Sequence, residues 1–432
     1  MRILIHTGTR DCLNLGDVAM LQATCRRLRE LWTDVELMVL TDAPERLAAV
    51  CPGSIPIPAG GLFPWVAERF LIGRAHRWLP ARWSEAAVAA KRSVGRRWPG
   101  VLDAAVDFKL RVQRTDRESV TAFRDAFGAA DCIVVCGQGS LTDGARSEAG
   151  EICLLLNMAA ARRKPAVLFG QGIGPLRDPE LRREAQRALR TARLIALREQ
   201  RVGPGVLADL GLGRDRILVT GDDAVEAAFE AKPPHTGAAI GLNLRLSRNS
   251  GLSPEHLPAF GSAIRRACES VSATVLPVPI SIHENGTNDA FVLDRFFESS
   301  GWDGREIHDL RTPAAVIRQV GRCRVMITAA YHAAVFALAQ GIPTICVANC
   351  DFFEDKFLGL AGLFGPGCEV LSVSSPNFPE RLCSTVFQHW EQADEFRTNL
   401  LDRAALQIRW ARGAYERAAG LLAGRASMTA RA

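Results

Sequence analysis

Short apolar runs recur along this chain, each closed by glycine or small polar residues and followed by a stretch that reads as helix. They lie at 2–5, 35–40, 131–136, 165–169, 194–197 and 216–220, then again at 239–245, 273–277, 325–327 and 342–347. Runs this short and this rich in Val, Ile and Leu fit strands buried on both faces of a parallel sheet. Their regular alternation with helices predicts a doubly wound architecture. At 432 residues the chain is too long for one ordinary core. A linker-like segment at 230–237, holding Pro233, Pro234 and Gly237, divides it. The expected fold is therefore α/β, with two Rossmann-like domains, 1–230 and 236–425, facing across a cleft. The second ends in a long helix over 391–425.

With 48% hydrophobic and 23% charged residues, the chain is well outside the disordered regime. A formal charge of +6 is too small for this size to mark a nucleic-acid-binding protein, although it suits acidic ligands or an anionic membrane surface. The chain opens straight into a strand, so no signal peptide is expected. No uninterrupted apolar run is long enough to cross a bilayer. The twelve cysteines are scattered, with Cys132, Cys136, Cys153 and Cys346 inside apolar segments and no pair at zinc or redox spacing. These features predict a cytoplasmic protein with reduced thiols and no metal site.

Polar residues collect where the apolar runs end, which is where open α/β sheets bind ligands. After the first run, Asn14, Gly16 and Asp17 crowd the start of a helix over 18–31. Helix capping accounts for them as readily as ligand binding does, and the glycine spacing is not a dinucleotide fingerprint. The 131–136 run exits through Gly137, Gln138 and Gly139, and the 165–169 run through Gly170, Gln171, Gly172 and Gly174. Backbone amides bared by such glycines can hold an anion. Arg198 and Glu199 end the 194–197 run, Asp222 and Asp223 follow 216–220, and Asn243 and Arg245 end 239–245. A polar loop over 280–289 holds His283 and Asp289, too few ligands for a metal. The 325–327 run leads to Tyr331 and His332, ahead of helix formers at 333–339. His332 thus sits near the positive end of a helix, suited to phosphate or carboxylate. A lone histidine there also serves as a plain cap or packing residue. Lys356 lies in the segment that follows the 342–347 run.

From 60 to 118 the pattern changes. Trp65, Phe70, Trp78, Trp83, Trp98 and Phe108 are interleaved with Arg69, Arg74, Arg77, Arg82, Lys91, Arg92, Arg96, Arg97, Lys109, Arg111 and Arg114. Much of this can be helical, broken at Pro80 and at Pro99 with Gly100. Two readings stay open. The simpler is a solvated helical insertion that packs its tryptophans on the domain. The other is a peripheral contact with an anionic membrane surface, at the inner face of the membrane.

Taken together, these motifs resemble those of the polysaccharide pyruvyl transferase family. The likeness is carried by 14–17, 137–141, 170–175, 196–199, 221–223, 242–245 and the block from His332 to Lys356, and covers 60–118 least. It implies two Rossmann-like domains arranged as in GT-B glycosyltransferases. It also implies transfer of the enolpyruvyl unit of phosphoenolpyruvate to two hydroxyls of a sugar, giving a pyruvate ketal and phosphate. The acceptor is then a cell-surface glycan, lipid-linked or not, or a glycosylated metabolite. Phosphoenolpyruvate is a co-substrate, and no further cofactor is implied.

By that resemblance Arg198 grips the phosphoenolpyruvate and His332 is the general acid or a phosphate ligand. Arg245 and Lys356 are further anion ligands. Asn14, Asp17, His283 and Asp289 bind or deprotonate acceptor hydroxyls, and Gly137, Gln138, Gly139, Gln171, Gly172, Gly174, Asn243 and Tyr331 line the site. The family triplet reads Arg-Leu-His, whereas this chain has Ala330, Tyr331 and His332, so Arg324 or Arg245 would have to substitute for the arginine. Gln138 stands where the family has a glycine, facing the ligand. Two other classes fit the same pattern: a GT-B-type glycosyltransferase that uses a nucleotide sugar, with Asp222 or Asp223 facing the ribose, and a non-catalytic sugar- or phosphate-binding protein.

Overall fold

A computed structural model describes the chain except residues 67–69, 72–77, 79, 98, 114–116, 247–253, 284–287, 303–306, 308 and 430–432. Of the basic and aromatic residues noted in 60–118, Arg69, Arg74, Arg77, Trp98 and Arg114 lie outside the described residues, as do the side chains of Arg92, Arg96 and Arg97.

Two parallel sheets carry the molecule. The first is built from β1 (Arg2–His6), β2 (Glu36–Thr41), β3 (Ile55–Pro58), β4 (Cys132–Val135), β5 (Gln138–Leu141), β6 (Ala166–Ile173), β7 (Leu194–Leu197) and β8 (Ile217–Val219). Its order is β3-β2-β1-β4-β6-β7-β8, with β5 paired to β6. The second contains β9 (Ala239–Asn243), β10 (Thr274–Pro277), β11 (Cys323–Thr328), β12 (Thr344–Ala348) and β13 (Cys368–Ser372), in the order β10-β9-β11-β12-β13. Both orders are doubly wound, and each reverses direction once: between β1 and β4, and between β9 and β11. Ligand crevices form at such points, beyond the carboxyl ends of the strands.

The sequence expectations differ from this in places with clear causes. β3 contains Pro56 and Pro58, which donate no hydrogen bond and are tolerated because β3 is an edge strand. The 137–141 stretch, read as a glycine-rich exit, is itself strand β5. β6 runs on through Gly170, Gln171 and Gly172 to Ile173, so those residues lie within a strand and not in a loop. The first helix spans Leu15–Leu31, three residues earlier than read, with Asn14 as its cap and Asp17 in its first turn. The end of the chain forms two helices, Phe378–Glu391 and Ala393–Thr429.

The long terminal helix returns to the first domain. Tyr415 stacks on Phe169 at 3.7 Å between ring centroids. Arg412 pairs with Glu226, which also receives Arg27 at 2.7 Å. The helix Tyr331–Ala339 is buried along its whole length. It belongs to an apolar cluster that also takes in Ile3, Val18, Met20 and Val225, so one core passes continuously from the first domain to the second. Among the described residues no helix is long and apolar enough to cross a membrane.

Candidate functional site

The carboxyl ends of β1, β4, β7 and β8 meet those of β9 and β11 where the domains adjoin. The contact is built partly from backbone. Leu15 N donates to Ile280 O at 2.8 Å and Ile282 N donates to Leu13 O at 2.9 Å, with Asn14 opposite Ser281. Beside it, His283 Nε2 lies 3.1 Å from Asp11 Oδ2, joining the two domains at the rim. This bond raises the proton affinity of His283, and together with the Leu13 amide it holds the Asp11 carboxyl down at about 2. Asn14 uses its side-chain oxygen to cap the helix, accepting from Gly16 N at 3.2 Å and Asp17 N at 3.4 Å.

That helix start presses against His332. A Cβ built on Gly16 would fall 2.0 Å from His332 Cγ, so glycine is what allows the backbone this close. His332 Nε2 lies 3.5 Å from Asp222 Oδ2, 3.9 Å from Asp17 Oδ1 and 3.4 Å from Met20 Sδ. Burial pushes the Asp17 carboxyl above its ordinary range, against the pull of His332 and Arg198. Burial acts on Asp222 in the same sense, but there His332, Arg198 and the Ala224 amide outweigh it and hold the carboxyl below the ordinary range. Asp222 Oδ1 accepts from Ala224 N at 2.9 Å, while the fully buried Oδ2 has no hydrogen-bond partner among the described residues.

Arg198 supplies the cation of the first domain. It is buried, with Nη1 3.7 Å from Asp222 Oδ2 and its guanidinium carbon 4.3 Å from the centre of the Tyr331 ring. It lies across two glycines. A Cβ on Gly139 would sit 2.6 Å from Nη2, and one on Gly172 would sit 3.0 Å from Nε. Lys356 Nζ comes to the same place from the second domain, 3.3 Å from that Gly139 Cβ position. Lys356 makes no ion pair among the described residues, and its ammonium rests over Phe352 at 3.7 Å. Burial first, then repulsion from Arg198 and Arg245, drives its proton affinity well below the ordinary lysine range. A bound anion at this point would reverse that shift. Tyr331 leaves its buried hydroxyl without a partner among the described residues.

Other residues expected at the site serve the scaffold. Asp289 is fully buried and accepts from Arg245 at 2.8 and 3.0 Å, from Asn243 at 2.9 Å, and from the amides of Ile280 and Ser281 at 3.1 Å. With five donors on it, four of them on Oδ2, it holds Arg245 and Asn243 in position. Gln171 ties the sheet together through Cys136 O at 2.8 Å and Phe169 O at 2.7 Å. Gln138 turns towards His6, with Nε2 3.2 Å from His6 Nδ1, and not towards the Gly139 cradle. Burial lowers His6 to about 3, so that ring is neutral. Gly137 makes room for Met20, whose Cε would lie 1.9 Å from a Cβ there. Gly174 packs on Val202 and Val206, apart from the cluster.

Arg324 does not replace the arginine absent at Ala330. It lies at the opposite end of β11, bound to Trp390 O at 2.8 Å and to Asp394 at 2.9 Å. Arg245 is at the site, held by Asp289. Sequence reasoning named Asp222 as an acidic residue at a strand end and, with Asp223, as a candidate facing a ribose, but did not place it beside His332 and Arg198. The glycine and two aspartates at 221–223 were the signal, but only the turn geometry separates the pair. Asp222 points to the site, while Asp223 points back to Arg27 at 3.2 Å and to Tyr415 at 3.4 Å. Both side chains are buried.

Similar folds occur among solved structures. A Listeria monocytogenes protein described as a UDP-N-acetylglucosamine 2-epimerase aligns at 11% identity with a TM-score of 0.56, over 95% of this chain and 94% of that one. Arabidopsis thaliana UGT89C1 complexed with quercetin aligns at 12% identity and 0.51, over 98% and 99%. The UDP-GlcNAc 2-epimerase from Neisseria meningitidis, bound to UDP-GlcNAc, aligns at 10% and 0.51, over 98% and 100%. At these identities the likeness shows the fold alone, a GT-B-like pair of α/β domains. No curated protein sequence matches the chain. A family model described as polysaccharide pyruvyl transferase matches residues 14–351, from the cap of the first helix to the start of the helix Asp351–Phe364. With most of its length matched, this chain belongs to the polysaccharide pyruvyl transferase family.

Proposed function

We propose that the protein transfers the enolpyruvyl group of phosphoenolpyruvate to a sugar of a cell-surface glycan or glycosylated metabolite. The products are a pyruvate ketal and free phosphate. The observation that carries this reading is the convergence of Arg198 and Lys356 over Gly139, beside His332, with Lys356 in no ion pair among the described residues. Phosphoenolpyruvate carries a phosphate and a carboxylate on one carbon, and two cations from opposite domains suit such a pair of anionic groups.

The chemistry follows from the donor. A proton is added to the methylene carbon while a sugar hydroxyl bonds to the neighbouring carbon and gives up its own proton. The bond to phosphate then breaks, phosphate leaves with the electron pair, and a second hydroxyl bonds to the same carbon, again losing a proton. His332 is the group we assign to protonation. Asp17, 3.9 Å away and with its proton affinity raised by burial, is the group assigned to receive the hydroxyl proton. Arg198 and Lys356 stabilise the charge on the departing phosphate. Asp222 positions His332 and Arg198 and touches no reacting atom.

The test is phosphate release from phosphoenolpyruvate in the presence of a panel of sugar acceptors, with the product checked by mass. The expected result is one phosphate freed per acceptor that gains a pyruvate ketal. Release of a nucleoside diphosphate from a nucleotide sugar, with no phosphate from phosphoenolpyruvate, would overturn the reading.

A further inference from the structure

Between β3 and the helix Arg117–Ala129 lie the helices Ala81–Arg97 and Pro99–Gln113, which take no part in the site. The second has two apolar faces. Leu102, Val106 and Leu110 are buried and face the domain. Val101, Ala104 and Phe108, spaced three and four apart, face solvent, with Val101 56% and Phe108 70% exposed. The first helix repeats this. Lys91 is buried, donating to Pro64 O at 3.0 Å and Trp65 O at 3.1 Å, while Trp83 is 58% exposed in line with exposed Ala86 and Ala90. Phe63 and Trp78 add 60% and 88% exposure nearby in the chain. A helix that buries one apolar stripe needs no second one facing water, so the outer stripe calls for an occupant.

Charge decides which occupant. Residues 60–118 hold twelve Lys and Arg against six Asp and Glu, an excess of six that equals the formal charge of the whole chain. A second copy of the chain would carry the same excess in the same stretch, and like charges would oppose the contact. An anionic bilayer supplies the opposite sign together with an apolar layer for Trp and Phe, and tryptophan favours that boundary. Arg82, whose guanidinium lies 5.9 Å from the Trp83 ring centre, has the pairing of cation and aromatic that sits at headgroup depth. We infer that the outer face of these two helices docks on an anionic phospholipid surface, lying on the bilayer without spanning it. The insertion leaves the first sheet at the carboxyl end of β3, the same end of the sheet on which the site lies.

The experiment is co-sedimentation of the full chain with phosphatidylcholine vesicles, with and without phosphatidylglycerol, at low and high ionic strength. Wild type is expected to sediment with the phosphatidylglycerol vesicles and to be released by salt. The variants Trp83→Ser/Phe108→Ser and Arg82→Glu/Arg111→Glu are expected to weaken partitioning by about tenfold or more, with unchanged thermal melts, because the altered side chains are exposed. Failure of wild type to sediment with anionic vesicles overturns the inference, as does undiminished sedimentation of both variants. A wild-type dimer in solution that Trp83→Ser/Phe108→Ser dissociates overturns it too, and makes a second copy the occupant.

Discussion

Asp222 Oδ2 and His332 Nε2 lie 3.5 Å apart although their residues belong to different domains. The same oxygen is 3.7 Å from Arg198 Nη1, so one carboxylate oxygen, with no hydrogen-bond partner among the described residues, faces both the acid and the cation we assign to the site. Its second oxygen is fixed by the Ala224 amide, which leaves the carboxylate no freedom to turn away.

Asp222→Asn keeps the shape and removes the charge. We expect kcat to fall roughly 10- to 100-fold, with a smaller change in KM for phosphoenolpyruvate. The pH–rate profile should change, because a carboxyl that His332 and Arg198 hold below its ordinary range is gone. Steady-state kinetics across pH check this. An unshifted profile at reduced kcat would mean that Asp222 only holds the fold.

Two glycine substitutions of equal size should differ in kind. In Gly139→Ala the new Cβ meets the far end of Arg198, which can swing aside. Donor affinity is expected to drop about tenfold or more with little change in Tm. In Gly16→Ala the new Cβ meets the base of a buried imidazole, with His332 Cβ at 2.4 Å and Cγ at 2.0 Å. That ring cannot move without the helix behind it, so stability should fall by about 1–3 kcal/mol. Thermal melts and donor titrations of the two variants separate the cases.

Lys356→Met removes an unpaired, half-buried ammonium whose proton affinity is already depressed. Without ligand the variant is expected to be more stable than wild type by about 1 kcal/mol, because the uncompensated charge is gone. It should also lose the response of Tm to phosphoenolpyruvate. Melts with and without the ligand read both effects.

Asp223 supplies a pH dependence of known sign. Burial raises its carboxyl from 3.8 to about 7, against Arg27. Between those values the folded chain keeps a proton that the unfolded chain releases. Unfolding free energy therefore falls as pH rises through this window. Asp223→Asn is expected to flatten that slope, even though losing the Arg27 pair lowers stability overall. Denaturant unfolding at a series of pH values between the two limits measures it.

The fold was legible where an apolar run alone filled a strand, as at β4, β7 and β11. It was not legible where another rule dominated the residue choice. Pro56 and Pro58 hid β3, since proline enters a strand only at an edge and the edge is a tertiary fact. The glycines of β5 and β6 read as loop because their packing against Arg198 and Met20 cannot be seen locally. At the site, His332, Arg198 and Lys356 were nameable from charge at the end of a run. Gln171, Asn243 and Asp289 looked equally like ligands, yet their hydrogen bonds hold the scaffold. Arg324 was excludable from sequence: six residues along a strand span about 20 Å, too far from position 330 for its side chain to return.

Calorimetric titration of the protein with phosphoenolpyruvate, in parallel with His332→Ala and Arg198→Ala, decides whether these two residues hold the donor. We predict millimolar or tighter binding to the wild type, lost in both variants while their thermal melts stay cooperative, despite Ala330 in place of the family arginine. No heat with phosphoenolpyruvate, alongside clear binding of a nucleoside diphosphate that both variants weaken, would rule out pyruvyl transfer and assign the site to a nucleotide-sugar donor.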